Sequence, residues 1–235
     1  MPFFLVNKPS WYTSHDIVDK FKFFYYWEKV GHSGTLDPMA TGLLIIAVWR
    51  DSTKHLWKLL WMDKTYITEI DFSIFTDTWD MDFYDTMEKY NIIFKSGLEK
   101  KEFLSQKKLS NSKVYDYYNL YIPKSRPDLN QIKQKLDSLI PEAELPLTMF
   151  SAKKKDGKKL YEFARQWIDL NLKQKMKVNS YEILEYSFPK LKLRLNVGSW
   201  TYIRSIGYWL GQQFWLWGTL TMLHRESIGP FRLNK

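Results

Sequence analysis

One loop constrains the whole chain. Residues 31–42, Gly-His-Ser-Gly-Thr-Leu-Asp-Pro-Met-Ala-Thr-Gly, hold three of the ten glycines and one of the nine prolines. Pro38 fixes its own φ and keeps Asp37 out of the helical region, and the glycines let another molecule approach the backbone. The loop therefore presents one carboxylate to a ligand. An Asx-Pro turn without chemistry is the alternative, because Asp and Pro are common in turns.

The order of residues in this loop resembles the signature loop of the bacterial TruB-type tRNA pseudouridine synthases, with the pattern G-x-L-D-x-x-A-T-G intact. In that family the aspartate is the nucleophile, so the resemblance implies that Asp37 is catalytic. It also implies the pseudouridine synthase fold. We therefore expect an α+β domain with a central, mixed, mostly antiparallel sheet flanked by helices.

Composition excludes several classes of protein. The sequence has no apolar run of the ~18 residues that a membrane span needs, and its N-terminus lacks the features of a signal peptide. The absence of cysteine excludes disulfides and thiolate chemistry, and the four histidines lack the paired spacing of metal ligands. We expect a cytoplasmic protein that holds no metal and associates with no membrane.

The charge of the chain suggests its partner. The net charge is +9 and the pI is about 9.4, which favours a polyanion, and nucleic acid is the usual one. A lysine-rich protein without such a partner is the alternative.

Hydrophobic periodicity in the first fifty residues predicts three elements. Residues 3–8 are typical of a short strand. A helix over 14–27 begins at a capping box formed by Thr13 and Asp16, and its apolar stripe consists of Ile17, Val18, Phe21, Phe24 and Tyr25. The continuous apolar run 43–48 predicts a strand covered on both faces.

The next segment predicts a helix, a strand and an acidic turn. Asp51 or Ser52 can cap a helix that runs through Met62, with Leu56, Leu59 and Leu60 facing inward. Alternation over 66–74 indicates a strand. A turn follows that contains Thr76, Asp77, Thr78, Asp80 and Asp82. These carboxylates could form a cation site, but solvated turn residues are the interpretation we favour.

The second half begins with a lysine-rich stretch of unclear periodicity, residues 84–124. It is either an insertion on the RNA-binding face or a surface elaboration. Asp128 then opens a helix whose apolar face contains Leu129, Ile132, Leu136 and Leu139. Residues 177–188 and 191–197 predict paired strands.

A lysine-rich block at 151–165 resembles the family pattern S-A-x-K-x-x-G-x-x-x-Y-x-x-A-R. Lysines around one glycine turn form a natural phosphate-contacting surface, although a solvated lysine run is the alternative. The residues that we expect to bind RNA are Lys8, Lys64, Lys153, Lys154, Arg165 and Arg225.

Residues 201–205, Thr-Tyr-Ile-Arg-Ser, match the third family motif and lead into a helix with Ile206, Leu210 and Phe214 facing inward. In the family the arginine pairs with the catalytic aspartate, which implies a pair of Arg204 with Asp37 in this chain. A permanently charged guanidinium keeps a partly buried carboxylate ionised and fixed in direction. A buried ion pair with no chemistry is the alternative.

The resemblance implies isomerisation of uridine to pseudouridine in the T-loop of tRNA, without a cofactor. The target base must leave its stack and rest on aromatic surfaces. The implied substrate-binding residues are His32, Tyr66, Tyr202, Arg204 and Leu223. Asp37 attacks either C1′ of the sugar or C6 of the base. We expect a monomer with one catalytic domain over 1–235 and without the small C-terminal RNA-binding domain of many members.

Tryptophan occupies positions where the family has glycine: Trp11, Trp49, Trp167, Trp200, Trp215 and Trp217. An indole adds volume and forbids some backbone conformations that glycine adopts. The chain has either repacked around these residues or been redesigned. If they block catalysis, it is a tRNA-binding or tRNA-folding module of the same fold, or a scaffold that no longer binds RNA.

Overall fold

A computed structural model describes residues 2–74, 76, 78–81, 126–164, 166, 168 and 170–233. The predicted lysine-rich insertion at 84–124 lies outside these ranges, as do Arg165, Trp167, Asp77 and Asp82. No helix in the described ranges has both the length and the apolar character needed to cross a membrane.

Along the chain, short helices alternate with the strands. The described elements are β1 (Phe3–Lys8), α1 (Ser14–Phe24), β2 (Val30–His32), β3 (Thr41–Val48), α2 (Arg50–Thr53), α3 (Leu56–Leu60), β4 (Lys64–Asp71), α4 (Leu129–Asp137), β5 (Glu142–Pro146), β6 (Lys154–Lys155), β7 (Lys158–Lys159), α5 (Leu160–Ala164), β8 (Lys173–Ser187), β9 (Lys190–Val197), α6 (Ile203–Gln212), β10 (Thr219–Ile228) and β11 (Phe231–Arg232).

One large sheet organises these elements, in the order β1-β3-β10-β4-β9-β8-β5, with β2 on β3 and β11 on β10. Strand β10 runs parallel to β3, whereas the other named pairs in this sheet are antiparallel. The expected α+β fold with a mixed, mostly antiparallel sheet is confirmed.

Strand β3 is buried on both faces, as its continuous apolar run predicts. On one face, Leu44 and Ile46 join the main core, to which α1, α4 and α6 also contribute. On the other face, Leu43 and Ile45 pack with Leu56 and the rest of the apolar side of α3. The loop that precedes β3 is therefore attached to the most enclosed strand of the fold.

The parallel contact between β3 and β10 requires a glycine. Gly42 lies opposite Arg225, and its φ is +101°. A Cβ at this position would lie 2.4 Å from the carbonyl oxygen of Arg225, too close for any other residue. Gly42 thus lets the strand after the Asp37 loop meet the strand near the end of the chain.

The predicted capping box at Thr13 is confirmed, and the helix that Asp128 was predicted to open also begins with a capping box. The Thr13 hydroxyl accepts from the Asp16 amide while the Asp16 carboxylate accepts from the Thr13 amide. Asp128 and Gln131 form the same reciprocal pair at the start of α4. Each cap satisfies two amides that the helix leaves without partners.

Other local predictions are corrected by the structure. Helix α1 ends at Phe24, which is 74% exposed, because its buried side follows the spacing of Ile17, Phe21 and Tyr25. Leu129 is likewise exposed, at the first position of α4. Strand β4 ends at Asp71 rather than at 74.

The single helix predicted from Asp51 or Ser52 to Met62 is two short helices, α2 and α3. Neither predicted residue caps it. The Asp51 carboxylate instead accepts from Lys54 at 2.9 Å, and the amide of His55 bonds to the carbonyl of Ser52. This tighter i to i+3 bonding interrupts the α-helical pattern between the two pieces.

Candidate active site

The Asp37 loop, residues 33–40, is fixed by two serines that follow β1. The Ser14 hydroxyl accepts from the amide of Leu36 at 2.9 Å, and the Ser10 hydroxyl donates to the carbonyl of Met39 at 2.9 Å. These bonds fix the backbone on both sides of Asp37. The position of the carboxylate is therefore set by the first residues of the chain as well as by the loop itself.

Lys8 also supports this loop, which corrects its predicted role. It is fully buried, and its ammonium donates to the carbonyls of Pro9, Tyr12 and Pro38 at 2.9, 2.6 and 3.1 Å. A buried ammonium that serves three carbonyls cannot also contact a phosphate of RNA in this conformation. Lys8 is a positioning residue for the segment next to Asp37.

Arg225 has a similar position on the other side of the loop. Its side chain is 1% exposed and donates to the carbonyls of Leu43 at 2.7 Å and Gly34 at 3.1 Å. The prediction that Arg225 contacts RNA is corrected for the same reason as that of Lys8. Its guanidinium connects the start of the loop that carries Asp37 to strand β3, which follows the loop.

Lys64 is the third predicted RNA contact that the structure places inside. Its ammonium donates to the carbonyls of Leu60 and Met62 at 2.7 and 2.5 Å, at the end of α3, where a cation is favoured. Burial, with a smaller contribution from the charge of Arg225, lowers the pKa of Lys64 to about 8. Lys64 caps a helix and borders the cavity described below.

Arg204 and Asp37 form the predicted pair. Nη2 of Arg204 donates to Oδ1 of Asp37 at 2.8 Å, and the Arg204 side chain is only 6% exposed. The same guanidinium donates to the carbonyls of Thr78 at 3.0 Å and Phe150 at 3.1 Å. Because four groups hold it, the guanidinium is fixed in orientation, and it fixes the carboxylate in turn. The fourth of these groups is Asp80.

Asp80 is not the solvated turn residue that the sequence suggested. Its side chain is 1% exposed, and its Oδ2 lies 3.2 Å from Nη1 of Arg204. The hydroxyls of Thr76 and Thr78 bond to its carbonyl and its carboxylate at 2.8 and 2.6 Å. Asp80 is buried because its charge is paired with an arginine far along the chain. Among the described residues, no group of three His, Asp or Glu side chains is placed to hold a metal ion.

A cavity of about 530 Å³ opens above this pair. Its walls contain every residue that the sequence predicted to be catalytic or substrate-binding: His32, Asp37, Tyr66, Tyr202, Arg204 and Leu223. Tyr66 and Leu223 are almost fully buried, on the neighbouring strands β4 and β10. The cavity is large enough for a small planar ligand, and its walls are mainly apolar and aromatic.

Sequence reasoning gave no role to several other wall residues. They are Leu36, Phe150, Ser151 and Tyr161, whereas Trp200, which the sequence singled out as a residue that could block catalysis, also lies in the wall. Ser151 and Tyr161 stand in the lysine-rich motif block, which was a usable signal, whereas Phe150 precedes that block and carries none. The carbonyl of Phe150 accepts from Arg204, so this residue both lines the cavity and orients the guanidinium.

Three wall residues have shifted pKa values: Lys64, described above, and His32 and Tyr202, which both remain uncharged near neutral pH. Burial lowers the pKa of His32 below its usual 6.5, and the charge of Arg225 lowers it further. Burial raises the pKa of the Tyr202 hydroxyl above 10. The Nδ1 atom of His32 is buried without a hydrogen-bond partner among the described residues.

A basic hairpin, β6–β7, lies beside the cavity. It turns at Asp156 and Gly157, both with positive φ, and exposes Lys154 as predicted. Lys153 stands at the cavity wall, where its ammonium donates to Oε1 of Gln174. The described lysines of this hairpin form a basic edge near the cavity.

Comparison with known proteins identifies the fold. Over 99% of this chain, the structure is similar to the Cbf5 complex with Nop10 and Gar1, with a TM-score of 0.65, 20% identity and 50% coverage of that chain. It is similar in the same way to an H/ACA RNP bound to a substrate RNA containing 2′-deoxyuridine, with a TM-score of 0.62, 19% identity and 49% coverage of that chain. These similarities show a shared fold.

The sequence comparisons are more specific. The chain matches the model of the TruB family pseudouridylate synthase, N-terminal domain, over residues 22–102 and 110–203. It is 34% identical to tRNA pseudouridine synthase B of Protochlamydia amoebophila, over 98% of this chain and 75% of that protein. It is 33% identical to the protein of the same name in Caldicellulosiruptor saccharolyticus, over 98% of this chain and 68% of that protein.

The family model and the named relatives place the chain among the pseudouridine synthases, which are isomerases, and its fold agrees with that class. The family model and the relatives then name the group within this class. The chain belongs to the TruB family of pseudouridylate synthases. The match also covers the lysine-rich stretch 84–124 except for residues 103–109.

Proposed function

We propose that this protein isomerises uridine to pseudouridine in the T-loop of tRNA, with Asp37 as the nucleophile acting on a base flipped out of its stack. The observation that carries the proposal is the ion pair of Asp37 with Arg204 inside the aromatic cavity. The relatives named tRNA pseudouridine synthase B support tRNA as the substrate. The choice of the T-loop rests on the resemblance of the motifs.

The geometry suits a carboxylate nucleophile. Arg204 engages Oδ1 of Asp37, while Oδ2 has no hydrogen-bond partner among the residues described. The Asp37 side chain keeps 29% of its surface exposed. One oxygen is thus fixed and the other is free to form a bond. Attack at C1′ of the ribose and attack at C6 of the base both use this oxygen.

The reaction changes no atom count. The bond between N1 and C1′ breaks, the detached uracil turns, and C5 forms the new bond to C1′. C5 loses its proton, and N1 gains a proton. A detached base must not escape during the turn, so the site needs walls that hold a flat ring. We assign this role to Tyr66, Tyr202 and Leu223, and assign uncharged His32 to the space that the base vacates.

The RNA partner is bound outside the cavity. The exposed lysines of the β6–β7 hairpin would contact phosphates of the T-arm, since contacts of this kind position RNA without reading its sequence. Lys154 keeps its predicted role within this proposal, and Lys153 would act at the rim. The proposal includes a monomer that acts in the cytoplasm as one catalytic domain.

A second candidate function is a tRNA-binding module with impaired catalysis. Trp200 favours it, because this residue lines the cavity beside Tyr202 while it carries an indole where the family has glycine. An indole at the wall could exclude the target base while the basic hairpin still binds RNA. The third alternative, a scaffold without RNA binding, has no observation in its favour.

One assay separates these functions. The protein is incubated with an unmodified tRNA transcript, pseudouridine is mapped by carbodiimide reactivity, and binding is measured at two salt concentrations. We expect product at a T-loop uridine, abolished by Asp37→Asn with tRNA affinity kept within several-fold. The matched control is Asp51→Asn, because Asp51 is 79% exposed and does not line the cavity.

The outcomes are distinct. Turnover near the parent rate in Asp37→Asn would exclude this residue as the nucleophile. Salt-sensitive binding without any product would select the binding module, and loss of both would select the scaffold.

A further inference from the structure

The backbone contains an unusual set of tryptophans. Nine non-glycine residues of the described chain have positive φ, and six of them are tryptophan, with φ between 58° and 69°. They are Trp11, Trp27, Trp49, Trp79, Trp200 and Trp215. The family has glycine at four of these six positions. Trp217, which also stands where the family has glycine, does not have a positive φ.

Left-handed backbone is a glycine conformation. A Cβ collides with the backbone there, and among other residues only Asn and Asp adopt it with any frequency. Asp156 and Asn171 fit this rule, but the six tryptophans and the remaining residue, Tyr26, do not. Trp49 is the extreme case, because its φ of 66° and ψ of 154° fall in a region that essentially only glycine occupies.

Packing of the indoles does not explain the choice of residue. Trp215 is 92% exposed, Trp27 75% and Trp200 57%, so their rings bury little apolar surface. Trp79 and Trp49 differ, since the Trp79 ring stacks on Tyr208 with centroids 4.1 Å apart and the Trp49 ring makes an edge contact with Tyr25 at 5.7 Å. For most of these six tryptophans, the side chain lies outside the core, and the backbone has a conformation that only glycine adopts without strain.

Other tryptophans of the chain behave ordinarily. Trp57 and Trp209 lie inside helices α3 and α6, and Trp61 has φ −83° and ψ −11° at the end of α3. These are common right-handed conformations. The tryptophans of the described ranges therefore fall into two groups, one with normal backbone and one with the backbone of glycine.

We propose that glycine is the native residue at these six positions, because the organism that makes the protein reads the codon UGA as glycine. UGA is read as tryptophan in some genetic codes and as glycine in others, so a single codon assignment accounts for every member of the set. Composition agrees: the chain has 11 tryptophans and only 10 glycines, and six more glycines would bring their share near the usual value of about 7%.

Three of the positions affect the proposed site. The amide of residue 11 donates to the carbonyl of Pro38, beside Asp37, and residue 79 precedes Asp80. Residue 200 lines the cavity, and its carbonyl accepts from Gln174. Glycine at 200 widens the cavity beside Tyr202 and removes the observation that favoured impaired catalysis. The effect on catalysis rests on the proposed function, whereas the proposed identity of the six residues does not.

The direct test reads the native protein. Tandem mass spectrometry of the protein purified from its own cells should give glycine at all six positions and tryptophan at 57, 61 and 209. Tryptophan at the six positions would overturn the proposal. The result is independent of activity, so an absence of pseudouridine formation would leave it unaffected.

A second test compares one substitution in two backbones. In the full-length protein, Trp49→Gly should raise the unfolding midpoint by at least about 2 °C, whereas Trp57→Gly should lower it, since glycine weakens a helix interior. If the parent chain is insoluble, the comparison starts from the protein with all six substitutions to glycine: restoring tryptophan at 49 should lower its midpoint. A lower midpoint for Trp49→Gly, or a higher one on restoration, would refute the proposal.

Discussion

Arg204→Met should lower the free energy of unfolding more than the deletion of any surface charge. The reason is that the buried carboxylate of Asp80 loses the positive charge that pairs with it. Asp80 is 1% exposed and lies 3.2 Å from the guanidinium. Methionine keeps much of the volume of arginine but supplies no donor. The carbonyls of Thr78 and Phe150, which now accept from Arg204, lose a bond as well.

The size of the effect follows from these contacts. Removing one partner of a buried ion pair costs about 3 to 5 kcal/mol. The two carbonyls could add about 1 kcal/mol each, but they overlap with the first figure since the same group is deleted. We expect a loss of about 4 kcal/mol, a large fraction of the roughly 5 to 15 kcal/mol that holds a domain folded.

Urea unfolding followed by tryptophan fluorescence measures this loss. The matched control is Arg194→Met, because Arg194 also pairs with two carboxylates, Glu182 and Glu226, but its side chain is 39% exposed. An exposed network of this kind contributes about 1 kcal/mol or less. Equal losses for Arg204→Met and Arg194→Met would refute the reasoning.

A double-mutant cycle then identifies the carboxylate. In an Asp80→Asn background the buried charge is gone, so Arg204→Met should cost at least about 1 kcal/mol less than in the parent. An unchanged cost would mean that Arg204 does not stabilise Asp80. Turnover should fall in Arg204→Met far more than tRNA affinity, measured under conditions where the variant remains folded, because the guanidinium also orients Asp37.

Three further predictions concern lysines in different environments. Lys8→Met should lower turnover more than tRNA affinity, measured by single-turnover kinetics and filter binding, because its ammonium holds the Pro38 carbonyl beside Asp37. Combined substitution of Lys154 and Lys155 by Met should instead weaken tRNA binding and leave the single-turnover rate unchanged. The slope of the logarithm of the tRNA binding constant against the logarithm of the salt concentration should become smaller by about 1.4, since each lost phosphate contact removes about 0.7 to 0.9. The pKa of Lys64 is about 8 in the folded protein and 10.5 in the unfolded chain, so between these pH values only the unfolded chain holds the proton. The free energy of unfolding should therefore rise with pH from about 8 to 10.5. Lys64→Met should flatten this rise in urea unfolding measured at several pH values, and an unchanged dependence on pH would contradict the prediction.

Local signals in the sequence predicted local structure well. The capping boxes at Thr13 and Asp128 depend on residues three apart, and the burial of β3 follows from its own apolar run. The Asp37 pair with Arg204 was predictable across a long separation only because both residues stand in family motifs. The same motifs placed Tyr66 and Tyr202 at the cavity.

Burial of charged residues could not be predicted in this way. Lys8 and Arg225 are of residue types that often contact RNA. Their partners are instead backbone carbonyls of the Asp37 loop, 30 residues away from Lys8 and 191 residues away from Arg225. Asp80 stands in a polar turn, and only the fold brings Arg204 to it. A side chain's exposure depends on what packs over it, and such contacts leave no periodicity in the sequence.

The place of β10 in the sheet has a consequence for synthesis on the ribosome. This strand comes near the end of the chain but lies between β3 and β4, which emerge much earlier. A nascent or prematurely terminated chain that ends before Thr219 leaves both of these strands with an open edge, which invites pairing with other chains. It also lacks Arg225, so the Asp37 loop is without one of its anchors. Products that end before β10 should therefore aggregate rather than act on RNA.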